Sequence, residues 1–367
     1  MRVEEYELEL LVRPLLAWFL DHARALPWRE EVSPYRVWVS EIMLQQTRVE
    51  AVKPYFEHFV EVLPDVKALA ECQEERLLKL WEGLGYYNRV RNMQTAAKQV
   101  MEEYGGKIPE DFTELLKLKG IGRYTAGAIS SIAYGKPVPA VDGNVLRVIS
   151  RVAGDDRDIA KQSVRTNIEE QLEKIIPPKY ASVFNQALME LGATVCLPNG
   201  EPKCIECPWH GFCIAEAEKR TGKLPVKSKL AKRKIEERTV FLIRDGEKVA
   251  LRKRPSKGLL AGLYEFPNEK GYFGTNEAVS YVKKMQLTPL RIEPLSDAKH
   301  IFSHVEWRMK GYLIRVEALE KGETNLLFAS AADFLENYPM PSAFAAYTEY
   351  LNISLGKCRL EKENQSE

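Results

Sequence analysis

Four of the six cysteines, Cys196, Cys204, Cys207 and Cys213, fall within one short window of the sequence. Seven, two and five residues separate them in order. The N-terminal segment alternates in charge and has no apolar signal core, so we expect a reducing compartment in which thiols stay free to bind metal. One Cys-x-x-Cys pair with two outlying cysteines is more typical of a [4Fe-4S] cluster than of a zinc ribbon. Zinc and unligated thiols remain the alternatives.

The overall composition is that of a globular protein. Hydrophobic residues make up 45% of the 367 residues and charged residues 29%, and no apolar run approaches the ~20 residues of a membrane span. We therefore expect a cytoplasmic protein of two or three domains. The net charge of +1 hides a run of eight basic residues between Lys219 and Lys234 that contains no acid. Taken alone, such a run is more often a solvated linker than a polyanion site.

The hydrophobic pattern changes character along the chain. Residues 6–213 show apolar positions three and four apart, which predicts helices. Ser33 and Pro34 are typical of a helix start, and the helix that follows carries Glu41 and ends near Gln45. Beyond Ile235 the pattern alternates and predicts a second domain. The predicted strands are 239–243, 249–251, 301–302 and 309–316, with a turn at 245–246, and the predicted helices are 275–285 and 342–351.

Two further segments combine glycine with a chemically useful neighbour. Gly120 and Gly122 lie between two helical patterns, which predicts a helix-hairpin-helix whose backbone N–H groups can approach a phosphate. A bare Gly-x-Gly is more often a plain helix turn. Asp142 precedes a predicted helix, where it would be a helix cap worth ~1 kcal/mol if nothing else were known.

The order of these motifs carries a family resemblance. The hairpin, the segment Val-Asp-Gly-Asn at 141–144 and the cysteine cluster together resemble the endonuclease III superfamily of DNA glycosylases over about residues 26–213. Segments 26–29, 38–47 and 81–87 are similar to the adenine DNA glycosylases of the MutY type. The resemblance implies a multidomain α and α+β protein. An all-helical helix-hairpin-helix glycosylase module with a [4Fe-4S] loop would be followed by a Nudix-like α+β domain.

The same resemblance implies domain boundaries. Residues 1–217 would form the helical catalytic region, with a six-helix module at about 29–137 and the hairpin at 113–130. An iron-sulfur module would combine 1–28 with 138–217. Residues 218–234 would be a basic linker, 235–355 the Nudix-like lesion-recognition domain and 356–367 a disordered tail. The metal-binding Nudix box is absent after the Gly-Leu-Tyr-Glu-Phe-Pro segment at 262–267, so we do not expect nucleotide hydrolysis.

The resemblance also assigns catalytic roles. Glu41 would be the general acid that protonates the base at N7, and Asp142 would be the ionised carboxylate that stabilises the cationic sugar and positions or deprotonates water. Asn144 and Tyr124 would orient Asp142 and the sugar. Tyr124 occupies the position where bifunctional relatives have a nucleophilic lysine. We therefore expect glycosidic bond hydrolysis without strong AP lyase activity.

Binding residues follow from the resemblance in the same way. The expected partner is double-stranded DNA containing adenine opposite 8-oxoguanine or G, bound by a monomer that is nucleoid-associated while it scans. The expected DNA-binding residues are Arg29, Gln46, Thr47, Leu84, Tyr86, Gly120 and Gly122. The expected lesion-recognition residues are His300, Phe302, Ser303 and His304. The four clustered cysteines would hold the [4Fe-4S] cluster, and a monovalent or calcium ion at the hairpin is a further cofactor that the resemblance leaves open.

The implied function is a monofunctional adenine DNA glycosylase of base excision repair. Two alternatives remain: a thymine-mismatch glycosylase of the same fold and a non-catalytic iron-sulfur DNA-binding protein. One departure from the family pattern concerns the cysteine loop, because seven residues separate Cys196 from Cys204 where the family usually has six. The Pro and Gly residues within that stretch predict a loop that absorbs the extra residue.

Overall fold

A computed structural model of the chain describes residues 2–228, 232–246, 248–319 and 325–351. The predicted tail, Cys358 and part of the basic linker lie outside the described residues. The chain divides into two compact units, one formed by Met1–Glu71 and Asn92–Leu230 and the other by Cys72–Arg91 and Ala231–Glu367. In the part of the chain that the structure describes, no helix has the length and apolarity that a membrane crossing requires.

The first 228 residues are helical, as the sequence pattern predicts. The helices are α1 (Val12–His22), α2 (Pro27–Glu30), α3 (Pro34–Leu44), α4 (Val49–Val62), α5 (Val66–Glu71), α6 (Glu74–Leu80), α7 (Asn88–Glu103), α8 (Phe112–Leu115), α9 (Arg123–Ala128), α10 (Gly143–Val152), α11 (Gln162–Ile175), α12 (Ala181–Thr194) and α13 (Ile214–Ala217). The predicted start of α3 is confirmed, since the Ser33 hydroxyl accepts the Arg36 N–H at 3.2 Å and Pro34 is the first helical residue.

Close helix packing in the first unit depends on two glycines. A Cβ atom at Gly127 in α9 would lie 2.3 Å from the Pro139 carbonyl oxygen, and one at Gly192 in α12 would lie 2.6 Å from the Asn144 Cβ. Both contacts are too short for any larger residue. The glycines therefore allow α9 and α12 to approach the segment around Asp142 closely.

In its described residues, the second unit is built on a seven-stranded mixed sheet, which confirms the predicted α+β domain. Its strands are β1 (Lys234–Asp245), β2 (Lys248–Lys253), β3 (Tyr264–Glu265), β4 (Asn268–Lys270), β5 (Pro289–Ile301), β6 (Val305–Val316) and β7 (Leu327–Ala329). The order is β3-β2-β1-β6-β5, with β4 beside β1 and β7 beside β2. Strands β1 and β6 run parallel and the other pairs are antiparallel.

Alternation along β1 divides the apolar residues of this unit between two cores. Val240 and Leu242 pack on one face of the sheet, together with residues of α15 (Ala331–Asn337) and α16 (Ala345–Thr348). Phe241 and Ile243 pack on the other face, together with residues of α14 (Thr275–Lys284). Successive side chains of a strand point to opposite faces, so one strand contributes to both cores.

The predicted secondary structure is largely confirmed, with two corrections in the second unit. The hairpin, the strand at 309–316 and the helix at 275–285 are present. Phe302 lies just after β5 and outside the strand in which it was predicted, because its N–H bonds the Val305 carbonyl in a turn at 2.8 Å. The predicted helix 342–351 is broken into three short pieces, two of them 3₁₀.

Gly311 in β6 offers a test of core packing in the second unit. We expect Gly311→Ala to destabilise the protein by ~1–3 kcal/mol, because the added Cβ would lie 2.4 Å from Cε1 of the fully buried Tyr347. Gly274→Ala is the matched control, since its φ is −78° and its nearest neighbour is 3.7 Å away. Chemical unfolding of the full chain measures both, and equal stabilities would contradict the packing described here.

Candidate active site

The first unit contains a cleft of about 910 Å³ that brings together most of the predicted catalytic and DNA-binding residues. The cleft is lined by Arg29, Glu41, Gln46, Thr47, Gly120, Gly122, Tyr124, Asp142 and Asn144. These residues come from α2, α3, α9, α10 and the loops beside them, and they are separated by up to about a hundred positions in the sequence. The structure therefore assembles two carboxyl groups on the wall of one cavity.

Glu41 is a buried carboxyl group of the cleft. It lies on α3 between apolar neighbours and is 5% exposed. Its carboxylate accepts a hydrogen bond from the Tyr124 hydroxyl. Burial raises the pKa of Glu41 to about 7 and the charge of Asp142 adds to the rise, while the Tyr124 hydroxyl and Arg29 oppose it. Glu41 can therefore hold a proton at pH values where an ordinary glutamate is ionised.

Asp142 lies in a more polar environment than Glu41. One carboxylate oxygen accepts the Val145 N–H at 2.8 Å, and the other accepts the Asn144 Nδ2 at 2.8 Å. Burial raises the pKa of Asp142 as well, but these donors and the Arg147 guanidinium favour its charged form. Asp142 is thus the N-cap of α10 and also a carboxylate of the cleft, so the two sequence interpretations are compatible.

The two hairpin glycines differ in their structural environment. Gly120 has a φ of +79°, and a Cβ there would lie 2.7 Å from the Asn92 Cβ. Gly122 is the N-cap of α9 and faces open space, so packing alone does not require glycine there. The open space at Gly122 would leave the backbone amides at the start of α9 accessible to a ligand.

Gln46 and Thr47 follow the C-terminal end of α3. Gln46 is exposed and has a φ of +60°, a left-handed conformation that is uncommon for residues other than glycine. The turn is closed by the Thr47 N–H, which bonds the Leu44 carbonyl at 3.3 Å. Both residues are therefore held at the cleft in a turn rather than on the helix.

Sequence reasoning missed a buried ion-pair cluster in the cleft. Glu190 of α12 is 1% exposed, and its carboxylate accepts the Arg24 Nε at 2.5 Å and the Arg29 Nη2 at 2.8 Å. Burial raises the pKa of Glu190, but the two guanidinium groups outweigh it and the net pKa is lowered. The sequence signal that could have revealed this cluster is an acidic residue within the otherwise apolar run 187–191.

The four clustered cysteines line a second, small cavity in the first unit. The cavity wall is otherwise mostly apolar, and the Arg151 Nη1 lies 3.3 Å from the Cys196 Sγ. Burial raises the pKa of the Cys207 thiol to about 12 and that of Cys213 to about 11. Over residues 2–228, 232–246, 248–319 and 325–351, no three His, Cys, Asp or Glu side chains adopt the arrangement of a metal site. Four thiols on one cavity nevertheless fit the donor set of a cluster better than that of a hydrophilic ion.

The inserted residue of the cysteine loop is accommodated at the surface. The loop closes through the Lys203 N–H, which bonds the Val195 carbonyl at 3.0 Å. Residues 198–201 between these two are exposed, and Gly200 has a φ of +75°. The loop can therefore bulge outward without displacing the cysteines.

One arginine of α10 joins the two cavities. The Arg147 Nη2 donates to the Asn144 Oδ1 at 2.8 Å, and its Nε donates to the Cys196 carbonyl at 2.8 Å. Asn144 in turn donates to Asp142. A hydrogen-bond chain therefore runs from the Asp142 carboxylate to the backbone of the cysteine loop.

The remaining predicted binding residues belong to the second unit. Leu84 and Tyr86 lie in the segment Cys72–Arg91, where Leu84 is buried and Tyr86 is 48% exposed. The predicted lesion-recognition residues surround the β5–β6 turn, where Ser303 and His304 are exposed. The Phe302 ring packs against His300 and Trp307, with centroid distances of 4.6 and 4.9 Å.

Two sequence families match the two parts of the chain. Residues 39–178 match the HhH-GPD superfamily of base excision DNA repair proteins, and residues 239–350 match the NUDIX domain. The helical fold is similar to a thermostable thymine-DNA glycosylase, with a TM-score of 0.52 and 27% identity over 57% of this chain and 96% of that one.

Curated relatives extend the match to the whole chain. An adenine DNA glycosylase of Rattus norvegicus is 32% identical over 96% of this chain and 80% of the relative. An adenine DNA glycosylase of Buchnera aphidicola subsp. Acyrthosiphon pisum is 34% identical over 82% of this chain and 85% of the relative. The helical cleft with its two carboxyl groups and the appended Nudix-like domain agree with this match, and the chain belongs to the adenine DNA glycosylase family, whose members are DNA glycosylases of base excision repair.

Proposed function

We propose that the chain hydrolyses the N-glycosidic bond of adenine that lies opposite 8-oxoguanine or guanine in duplex DNA. The observation that carries this proposal is the pair Glu41 and Asp142, which line one cleft but differ in their environments. Adenine is a poor leaving group until it is protonated, and the sugar becomes cationic as the base departs. One protonated and one ionised carboxyl group meet both requirements.

Glu41 supplies the proton in the first step. Its protonated carboxyl group donates to N7 of adenine, the bond between C1′ and N9 breaks, and the electron pair leaves with the base. Because burial raises the pKa of Glu41 to about 7, the acid form is present at neutral pH. The Tyr124 hydroxyl, which donates to Glu41, holds the carboxyl group in place.

Asp142 stabilises the sugar cation and completes the reaction. Its carboxylate is fixed by Val145 and Asn144 and needs no rearrangement as positive charge develops at C1′. Water then adds to C1′ and its proton passes to Asp142. Tyr124 offers a phenol in place of an amine, so no Schiff base forms and the strand is left uncut.

The buried cluster of Glu190, Arg24 and Arg29 supports a purine-reading wall of the cleft. Both guanidinium groups fix the Glu190 carboxylate, which is an acceptor for the exocyclic amino group of adenine. Thymine presents a carbonyl oxygen at that edge, which a carboxylate repels. The same wall would therefore favour adenine over thymine.

The target base must leave the helix before it can reach this cleft. The amides at Gly120 and Gly122 would hold a backbone phosphate at the start of α9. Gln46 and Tyr86 would occupy the space that the flipped base vacates and the adjacent stack, with Thr47 and Leu84 nearby.

The second domain would read the base opposite adenine. In this proposal Ser303 hydrogen-bonds the altered purine edge and Phe302 supports the opened stack, with His300 and His304 beside them. Because Phe302 packs on Trp307, insertion into a duplex would use a ring that already has support beneath it. The basic residues around Arg233 lie at the start of this domain, where the Arg233 Nε bonds the Phe302 carbonyl at 3.1 Å.

The cysteine cavity would hold a [4Fe-4S] cluster. Cys196, Cys204, Cys207 and Cys213 would be its ligands, and the cluster would supply a rigid link within the first unit. The nearby Arg151 guanidinium would offset the negative charge of the thiolates. A monovalent or calcium ion at the hairpin stays a prediction.

The substrate assignment is tested by a base-release assay on three duplexes. We expect the chain to excise adenine opposite 8-oxoguanine fastest and adenine opposite G more slowly, and to leave thymine opposite G intact. The products are resolved before and after alkali, because an abasic strand that breaks only in alkali indicates hydrolysis without lyase activity. Release of thymine would support the mismatch-thymine alternative, and binding without any release would support the non-catalytic one.

Glu41→Gln tests the general acid. The amide cannot donate the proton, so we expect adenine excision to fall by about 10²–10⁴-fold while duplex binding is retained. In the unchanged protein the rate should fall as the pH rises above about 7, because Glu41 then loses its proton. Single-turnover rates across pH measure both effects. Glu57→Gln, at an exposed position of α4, is the control that should keep the original rate and profile.

The same variant carries a stability signature. Glu41 keeps its proton in the folded state up to about pH 7, whereas the unfolded chain releases it near pH 4.5, so the free energy of unfolding falls as pH rises through this window. Glu41→Gln has no carboxyl group to ionise and so avoids this loss of stability. At pH 8 it should be more stable than the unchanged protein by up to about 3 kcal/mol. A less stable Glu41→Gln variant at pH 8 would contradict the burial argument.

Metal analysis tests the cluster. We expect about four irons per chain and broad visible absorbance, because four thiolates ligate one [4Fe-4S] cluster. Cys204→Ser should lose most of the iron, whereas Cys72→Ser, outside the cavity, should retain it. Stoichiometric zinc without iron would instead identify a zinc centre.

A further inference from the structure

Residues 72–91 form a compact body with the C-terminal domain, although they lie within the catalytic region of the sequence. The segment contains α6, the start of α7 and the turn between them. That turn carries Leu84 and Tyr86, which the sequence predicts as DNA-binding residues. Side chains of the same segment attach this turn to the C-terminal domain.

Glu82 is the central anchor of the segment. One carboxylate oxygen accepts the Met340 N–H at 2.7 Å, and the other lies 2.8 Å from the Lys79 Nζ. The Lys79 Nζ also lies 3.4 and 3.5 Å from the carbonyl oxygens of Phe334 and Tyr338. The side chains of Glu82 and Lys79 are only 12% and 19% exposed, so this cluster is worth more than a surface ion pair.

The anchor joins the same core that supports the lesion-recognition turn. Met340 and Phe334 are fully buried in the core that contains Trp307, and Phe302 packs against this core. The Phe302 and Trp307 rings are 4.9 Å apart. Glu82 and Phe302 are therefore attached to one packed set of side chains, and such sets transmit displacement because they have little free volume.

The turn itself is internally fixed. Tyr86 has a φ of +46°, which is uncommon outside glycine, and it follows Gly85 with a φ of +67°. The Trp81 Nε1 donates to the Gly85 carbonyl at 3.0 Å, and the Arg89 Nη2 donates to the Leu84 carbonyl at 2.9 Å. The Arg89 guanidinium also lies 5.7 Å from the centre of the Tyr86 ring. A turn held this firmly moves as a unit with the residue that anchors it.

We propose that Glu82 is a positioning residue that fixes the Tyr86 turn to the core carrying Phe302, so that reading of the opposite base and support of the opened stack by Tyr86 occur on one rigid body. This proposal deepens the proposed function and rests on it. It makes Glu82 a determinant of lesion preference without any contact to DNA.

The test compares single-turnover excision of adenine opposite 8-oxoguanine and opposite G. We expect Glu82→Ala to lower the preference for 8-oxoguanine by about fivefold or more, as for loss of a buried coupling. Glu82→Gln keeps an acceptor for the Met340 N–H and should restore most of the preference. Glu75→Ala removes only the half-exposed pair with Lys253 and should leave the preference unchanged.

A double-mutant cycle separates positioning from general destabilisation. If Tyr86 and Phe302 act as one body, the effects of Glu82→Ala and Phe302→Ala on affinity for the 8-oxoguanine duplex should not simply multiply. The double variant should lose about fivefold less affinity than the product of the two single losses. Losses that multiply to within about twofold would overturn the proposal. If Glu82→Ala does not fold, Lys79→Met, which removes the donor to the Phe334 and Tyr338 carbonyls, replaces it in both experiments.

Failure of this proposal is distinguishable from failure of the proposed function. A wild-type chain that does not excise adenine opposite 8-oxoguanine contradicts the function itself. A wild-type chain with a clear preference, combined with an unchanged preference in Glu82→Ala, contradicts only the positioning role of Glu82.

Discussion

Burial of two carboxyl groups in one cleft is the constraint on which the first unit depends. Water is largely excluded from Glu41, so its charged form is unfavourable and the proton stays on. Burial also raises the pKa of Asp142, but α10 begins at this residue and the backbone and amide donors around its oxygens oppose the rise. The fold thus places two carboxyl groups in one cleft with unequal hydrogen bonding. The packing of the surrounding helices offsets the energetic cost of burying Glu41.

Helix packing supplies the precision that this arrangement needs. Gly127 and Gly192 let neighbouring backbone approach the segment that carries Asp142 and Asn144. Arg147 of α10 donates to both Asn144 and the Cys196 carbonyl, so this helix links the cysteine loop to the segment that carries Asp142. A change in the conformation of the cysteine loop would therefore alter the position of Asp142 through a short chain of hydrogen bonds. This connection gives the loop a structural role even though it contributes no reacting group.

The second unit matches the NUDIX domain and contains a buried acidic residue. Glu265 is 1% exposed and pairs with Arg252 and Arg254 at 3.0 and 2.5 Å, so this buried acid is already neutralised. The sequence also lacks the acidic box that binds catalytic metal in Nudix hydrolases. Both observations favour a binding domain over a hydrolase. Its contribution to the proposed function is a rigid core on which Phe302 and the Tyr86 turn are mounted.

The sequence by itself determined the features that are local. Helix starts, including the start of α10 after Asp142, and the β-hairpin depend on neighbouring residues, and those predictions agree with the elements found. The tertiary structure alone decided the features that need distant residues to meet. Glu190 pairs with Arg24 across most of the helical region, Phe302 lies in the turn after β5 and packs on Trp307, and residues 72–91 belong to the C-terminal unit. No periodicity reveals such partners, because burial and pairing are set by contacts between segments far apart in the chain.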